Sequence, residues 1–432
     1  MPGVDIRPFH AMRFDGRRVA LDDVVAPPYD VIDDERRSRL MQRSPHNVAG
    51  LILPEPGAER RAAERFSSWV AEGIVVRERR PCMYWLEQHA TGPDGVRRER
   101  SGLIAALRLR PYSADGVRRH ELTMTEPVRG RTDLLRTMHA NLSPIFMGYA
   151  DPERTISRVF APLVADLPPL WEATDDEGTT HRLWRICESD AWASAIRRFR
   201  ETPITIIDGH HRYEAALAYQ AERRAADGDP ADNRRYDFAP VYLANRHDPG
   251  LGVFATHRVV TGLDPALWRA LPARLAERWV LRPVGTLEEL EQLVVGTDRS
   301  ARTFGLVRGG DAPLLYATLR DPGELARAAP SMHAVLQRLD VNAVGVLVLR
   351  DVLGFDAASV ATTRRIAYRN RAGDAAALVA SQPPETAIAL LVPAPTVSDV
   401  EAAAVAEQTM PPKSTYFYPK ILDGMVFHSL DD

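Results

Sequence analysis

A chain of 432 residues is longer than one simple core, so two or three domains are expected. Its composition is 45% apolar and 26% charged with a net charge of −3, as in globular proteins, with no global basic field for nucleic acid or an anionic membrane. No apolar run can span a bilayer, the first sixteen residues lack a signal-peptide core, and Cys82 and Cys187 match no metal or redox spacing. A cytoplasmic protein with two incidental reduced thiols is therefore expected, with neither membrane nor nucleic acid as a partner.

In chain order, Ile6, Pro8 and Phe9 open a strand that turns at Asp15-Gly16. VVAPPYDVID then reads as a short strand at Val24-Val25 and a stop at Pro27-Pro28. Asp30 follows, its carboxylate held at a strand end as a functional group or a turn former. Asp33 or Asp34 caps a helix running through Leu40. Ser44-Pro45-His46-Asn47 is a loop before a strand over 48–53. Residues 57–80 place Ala62, Phe66, Trp69 and Val70 on one face of an amphipathic helix. Strands over 83–89 and 101–109 pair around a turn at 92–95. Next come His120-Glu121, which can be an acid/base pair, metal ligands or a plain surface pair. A helix over 133–138 and a strand over 144–149 follow. Residues 151–200 form another αβ segment: a helix opening at Asp151-Pro152, a polar turn at 174–178, a strand at 181–187, and a helix at 191–199 capped by Asp190.

The stretch ITIIDGHHRYEAALAYQ, 204–220, is the focus of the chain. Ile204 to Ile207 read as a buried strand, Asp208-Gly209 as a turn, and the residues from His210 onward as a helix. A helix N-terminus carries unpaired N–H groups and about half a positive charge, and so attracts phosphate. Asp208, His210, His211 and Arg212 crowd that one turn. A polar linker over 223–235, a strand over 238–244, a turn at Asp248-Pro249-Gly250 and a strand over 251–256 come next. His257 and Arg258 at that strand's end are candidate anion contacts or solvated basic residues.

From 263 the chain reads as a separate module, with elements at 288–295, 304–307, 314–319 and 344–352, a buried strand at 387–392 and a helix at 397–408. It ends in MPPKSTYFYPK, 410–420, a rigid loop presenting Lys413, Ser414, Thr415 and Lys420. Without glycines this is not a P-loop. Lys413 and Lys420 are the only two lysines among 55 basic residues. Lysine is a compact charge that arginine does not replace at a phosphate or proton-transfer site, so their shared window is read as functional.

The order IRPF, VVAPPYDVI, SPHNV, HELT, ANLSPIF, DGHHRYEAAL, THR and MPPKSTYFYPK resembles domain-of-unknown-function family 1015 over nearly the whole chain. That family has Asp-Arg where this chain has Gly130-Arg131. The DGHHR turn is similar to the phosphate-binding turn of the ParB and sulfiredoxin superfamily, which includes free serine kinases. The resemblance implies an α/β (α+β) fold. A ParB/sulfiredoxin-like core would comprise 1–55 plus 200–262, with 56–199 inserted and 263–432 as a C-terminal α/β module. It also implies that Gly209, His210, His211 and Arg212 bind nucleotide phosphates, and that Asp208 lies beside a metal or the accepting hydroxyl.

The expected function is a phosphotransferase that uses ATP, ADP or CTP with Mg²⁺ and acts on a small hydroxylated metabolite, with free serine as the best guess. Asp208 would hold the metal. Asp30 or Glu121 would orient the acceptor, and Lys413 would join them in catalysis. His257, Arg258, Ser414, Thr415 and Lys420 would complete the nucleotide site. With water as acceptor the same site is a phosphatase or nucleotidase; without chemistry it is a nucleotide sensor or ParB-like regulator. A purely structural role for these polar residues is the remaining alternative. Oligomerisation is left open.

Overall fold

The computed structural model describes residues 3–187, 189–228, 233–296, 300–356, 359–360 and 363–431. The fold is mixed α/β, as expected, and the chain divides into two compact units. The first comprises Met1–Arg119, Thr123–Gly252 and Tyr418–Asp432; the second comprises His120–Leu122 and Val253–Phe417.

The first unit is built on a nine-stranded sheet. Its strands are β1 (Ile6–Arg7), β2 (Met83–Thr91), β3 (Arg97–Arg108), β4 (Val117–Arg118), β5 (Ile145–Tyr149), β6 (Trp171–Thr174), β7 (Thr180–Ile186), β8 (Ile204–Asp208) and β9 (Phe238–Asn245). The order is β4-β8-β5-β9-β3-β2-β7-β6, with β1 added on β3. Strand β8 runs antiparallel to β5 and parallel to β4, so the sheet is mixed. Residues 56–199 therefore do not form a separate insertion: β3 pairs over 102–108 with β9, and β5 pairs with both β8 and β9. Met83, Trp85, Leu103, Ala105 and Leu107 alternate onto one face and pack with Phe160 and Phe199.

Several local expectations hold. Asp33 caps the helix Asp34–Arg43 by accepting from the Arg36 N–H at 2.8 Å. The helix Glu59–Ala71 buries Ala62, Phe66 and Trp69. Two short strands were expected, at Val24-Val25 and over 48–53; instead Val24 ends a helical turn and 49–52 are helical. Leu21–Val24 is one helical turn and Ala49–Ile52 another. The buried side chain of Asn47 joins them: its Nδ2 donates to the Asp23 and Val25 carbonyls, and its Oδ1 accepts from the Ala49 N–H. An apolar run of this length has no readable period, so tertiary contacts decide its form. The polar linker is helical to Ala226; residues 229–232 lie outside the described residues.

The two thiols are not incidental, because Cys82 and Cys187 form a disulfide. Met83 of β2 pairs with Ile186 of β7, so the next residue outward on each strand meets the other. The sequence argument for a reduced compartment therefore lapses.

The second unit holds a six-stranded sheet of β10 (His257–Val260), β11 (Trp279–Val284), β12 (Thr303–Arg308), β13 (Leu314–Leu319), β14 (Ile366–Arg369) and β15 (Ile388–Leu391). The order is β11-β13-β12-β15-β10-β14. Ile388 and Leu390 face one core while Ala389 and Leu391 face another, so apolar clusters cover both sides of the sheet.

Candidate functional site

The site begins where β8 ends. Asp208 is its last residue, Gly209 adopts φ 98°, and the helix His210–Ala226 starts at once. A Cβ on Gly209 would lie 2.8 Å from Arg212 Nε, so glycine is required both for the turn and for the arginine folded back over it. Arg212 Nη2 donates to Asp208 Oδ2 at 2.7 Å, and Lys420 Nζ donates to Asp208 Oδ1 at 2.5 Å. The Asp208 carboxylate is thus bracketed by two cations. Arg212 Nη1 donates to the Pro144 carbonyl at 2.6 Å.

Asp423 lies behind this pair, 1% exposed at its side chain, with Oδ1 3.9 Å from Arg212 Nη1. Its backbone is bridged to Ala26, just before Pro27-Pro28. Neither carboxylate oxygen has a hydrogen bond of good geometry. Burial pushes its carboxyl up to about 7; Arg212 and the Ser143 hydroxyl offset only part of that, and Asp208 and Asp30 add repulsion. For Arg212, burial favours the neutral form, but Asp208, Asp423 and Asp30 outweigh it and raise its pKa.

Tyr29 and Asp30 sit in a 3₁₀ turn, Tyr29–Val31, and Asp30 is exposed. The Arg131 guanidinium lies 4.2 Å above the Tyr29 ring and donates to the Ile52 carbonyl. Burial lowers the Arg131 pKa, and no carboxylate pairs with it within salt-bridge distance among the described residues. Tyr29, Arg131, Ser143 and Arg212 line one small cleft of about 40 Å³, with Leu134 and Leu142 as its apolar wall.

His210 is buried, and His211 Nε2 accepts from the Met124 N–H at 3.0 Å. The His211 proton therefore sits on Nδ1, and one ring nitrogen is committed to the end of the helix Thr125–Met138. Glu214, one turn further along, accepts from Thr123 Oγ1 at 2.6 Å and from Arg119 and Tyr112 at 3.3 Å.

The remaining predicted residues belong to the second unit. His257 is buried, and its Nδ1 accepts from the Val392 N–H at 3.3 Å. Burial, with Arg258 next to it, lowers its pKa to about 4. It is a satisfied core histidine rather than an anion contact. Burial also brings Arg258 down to about 10, with Tyr368 and Glu121 acting in the opposite sense. Its Nη2 donates to the Lys413 carbonyl at 3.3 Å. Lys413 itself has φ 59°, a left-handed conformation. Ser414 Oγ donates to the Pro411 carbonyl at 2.6 Å, and Thr415 Oγ1 lies 3.3 Å from His120 Nε2. The Ser414 hydroxyl is therefore engaged within its own turn, and that of Thr415 with His120.

Of the predicted residues, Asp30, Asp208, Gly209, Arg212 and Lys420 thus lie in one unit together with Asp423, which the sequence did not single out. Asp423 falls just beyond the MPPKSTYFYPK motif, in a segment whose sequence carries no catalytic pattern. A resident metal on Asp208 does not fit this arrangement, because both carboxylate oxygens already face cations. The described residues contain one group with metal-ligand spacing, Glu87, His89 and Glu99, which does not include Asp208.

A protein-family model described as a protein of unknown function, DUF1015, matches residues 6–342. No functionally curated protein matches the chain. A solved structure of a free serine kinase mutant in complex with AMP is 14% identical, with a TM-score of 0.35, and covers 73% of this chain and 87% of its own. A conserved hypothetical protein from Pyrococcus furiosus is 13% identical with a TM-score of 0.34, covering 74% and 93%. SbnI with a C-terminal truncation, from Staphylococcus aureus, is 12% identical with a TM-score of 0.35, covering 74% and 85%. None of these likenesses is close enough to transfer the role of a residue.

Proposed function

The chain belongs to the DUF1015 family of proteins of unknown function, and we propose that it is a nucleotide-dependent phosphotransferase acting on a small hydroxylated metabolite. The observation that carries this reading is the strand-to-helix turn itself: a helix N-terminus with Arg212 and Lys420 drawn together on Asp208. Phosphoryl transfer needs positioning and charge neutralisation more than covalent chemistry. The N–H groups at 209–212 take the nucleotide phosphates of ATP, ADP or CTP. Arg212 and Lys420 neutralise charge that develops on the transferred group, and Asp208 keeps both cations in place. Asp30, exposed and close enough to act on Arg212 and Asp423, orients the acceptor hydroxyl and takes its proton. The small cleft beside it presents Arg131, Ser143 and Tyr29, polar groups that would meet the carboxylate or hydroxyl of a small acceptor such as a free amino acid.

The test is ³¹P NMR of the purified protein with each nucleotide, Mg²⁺ and a pool of hydroxylated metabolites. A new phosphomonoester signal is expected. Free phosphate alone would reassign the site to hydrolysis. Nucleotide binding without turnover would make it a sensor, and the absence of both binding and turnover would sink the phosphate reading of the turn.

A further inference from the structure

Behind Lys420 runs a chain of buried polar side chains that the proposed chemistry does not use. Gln88, Arg100 and His181 are each 0% exposed. Gln88 Oε1 accepts from Arg100 Nε at 3.1 Å and also from Nη2. Its Nε2 donates to the Lys420 carbonyl at 2.7 Å and faces His181 Nδ1 at 3.2 Å. Arg100 Nη2 donates to the neighbouring Pro419 carbonyl at 2.7 Å. His181 Nε2 lies 3.2 Å from Asp175 Oδ2, and Asp175 Oδ1 accepts from the Glu177 and Thr179 N–H groups at 2.9 Å.

The orientation of every group follows from what each can donate. Arginine only donates, so the oxygen of the Gln88 amide must face Arg100. The amide nitrogen then donates to His181 Nδ1, which leaves the imidazole proton on Nε2, directed at Asp175. Both amide hydrogens and the amide oxygen of Gln88 are used.

This arrangement is costly. A guanidinium fully withdrawn from water without a carboxylate partner is among the most expensive groups a core can hold. Arg100 has no ion pair among the described residues, and its Nη1 has no hydrogen-bond partner. Beyond Gln88 and Pro419 its support is the rings of Phe146 and Tyr242, with centroids at 4.5 and 5.4 Å, and the more distant charge of Asp248. Well-packed apolar residues in place of such a buried charge are often neutral or stabilising. What the polar chain achieves is to pin two consecutive carbonyls, and the Lys420 side chain departs from that pinned backbone.

We propose that Gln88 and Arg100, oriented by His181 and Asp175, are positioning residues for Lys420: they fix the backbone from which its ammonium reaches Asp208. The proposal rests on Lys420 acting at the turn as described above.

With two lysines in the chain, the readout is direct. Competitive acylation with a trace of acetic anhydride, followed by peptide mass spectrometry, gives the relative rate at Lys420, with Lys413 as internal reference. Gln88→Glu is the informative variant. It supplies Arg100 with a carboxylate, which satisfies the buried charge, and it removes both N–H donors. Lys420 is expected to acylate about fivefold faster, the worth of one neutral hydrogen bond, with Lys413 unchanged. An unchanged Lys420 rate would overturn the proposal. Should Gln88→Glu fail to fold, His181→Ala is measured in the same way, and an unchanged Lys420 rate there overturns it equally. In turnover, kcat should fall while the nucleotide KM holds. A wild-type protein that never turns over would refute the phosphotransferase and leave the acylation result standing, so the two failures are distinct.

Discussion

Asp208 is held between Arg212 and Lys420, and each cation can be replaced with a different expected result. Lys420→Ala removes one charge from a partly exposed position, so the fold should persist while phosphoryl transfer drops about a hundredfold, the usual cost of one lost transition-state donor. Lys420→Arg should not rescue it, because a planar fork does not reproduce a compact ammonium 2.5 Å from one carboxylate oxygen. Single-turnover kinetics on both variants check this, and near-wild-type rates in Lys420→Arg would show that only the charge matters. Asp423 gives a prediction about stability instead. Its folded pKa of about 7 lies above its ordinary value of 3.8, so the folded state binds more protons than the unfolded chain between those values. Stability therefore falls as pH rises through that window and levels off above it. The full effect is about 4 kcal/mol at the upper end, from roughly three pKa units at 1.36 kcal/mol each. Asp423→Asn should flatten the curve and stabilise the protein at neutral pH. Urea unfolding at several pH values measures both, and a variant curve parallel to wild type would assign the pH dependence elsewhere.

The β8 turn is the element on which these residues depend. Gly209→Ala meets two obstacles: a left-handed φ of 98° and an Arg212 side chain within 2.8 Å of the new methyl. The backbone term alone costs about 1–2 kcal/mol, and displacement of Arg212 from Asp208 should weaken nucleotide binding further. Calorimetric titration of the variant tests this; unchanged affinity would detach the turn from the site. The turn was legible in the sequence because its chemistry is local: four β-branched residues, a glycine and a polar cluster state strand, turn and helix in order. The helices at Leu21–Val24 and Ala49–Ile52 were not legible, because each is one turn long and the first is tied to the second by Asn47, which lies beside the second and far from the first in sequence. Lysine scarcity singled out one window of the chain but could not tell Lys420, which bonds Asp208, from Lys413, whose carbonyl takes a bond from Arg258. The buried histidines His210 and His257 show the same limit, since a polar residue beside a motif looks the same whether it faces a ligand or the core.

At the scale of the whole chain, the units cannot be read as consecutive stretches. The first reclaims residues 418–432 after the second has been built, and the second reclaims 120–122 from within the first. Such returns leave no local mark in composition or turn signals, which is why 263–432 was expected as one uninterrupted C-terminal module and 120–122 as part of the insertion. The disulfide has the same origin: Cys82 and Cys187 are 105 residues apart, and only the register of β2 against β7 brings them together. A cross-link closing a loop of that length restricts the unfolded chain strongly, and its removal should cost the first unit about 2–5 kcal/mol. Hydrogen exchange before and after reduction tests this strand by strand. Protection should fall in β2 and β7, which flank the bond, while β12 and β15, in a sheet without a disulfide, serve as the internal reference. Cys82→Ala paired with Cys187→Ala should reproduce the reduced state, since neither thiol is then available to re-form the bond. Equal protection in the oxidised, reduced and doubly substituted proteins would mean that sheet pairing alone holds β2 to β7 and that the cross-link adds nothing to it.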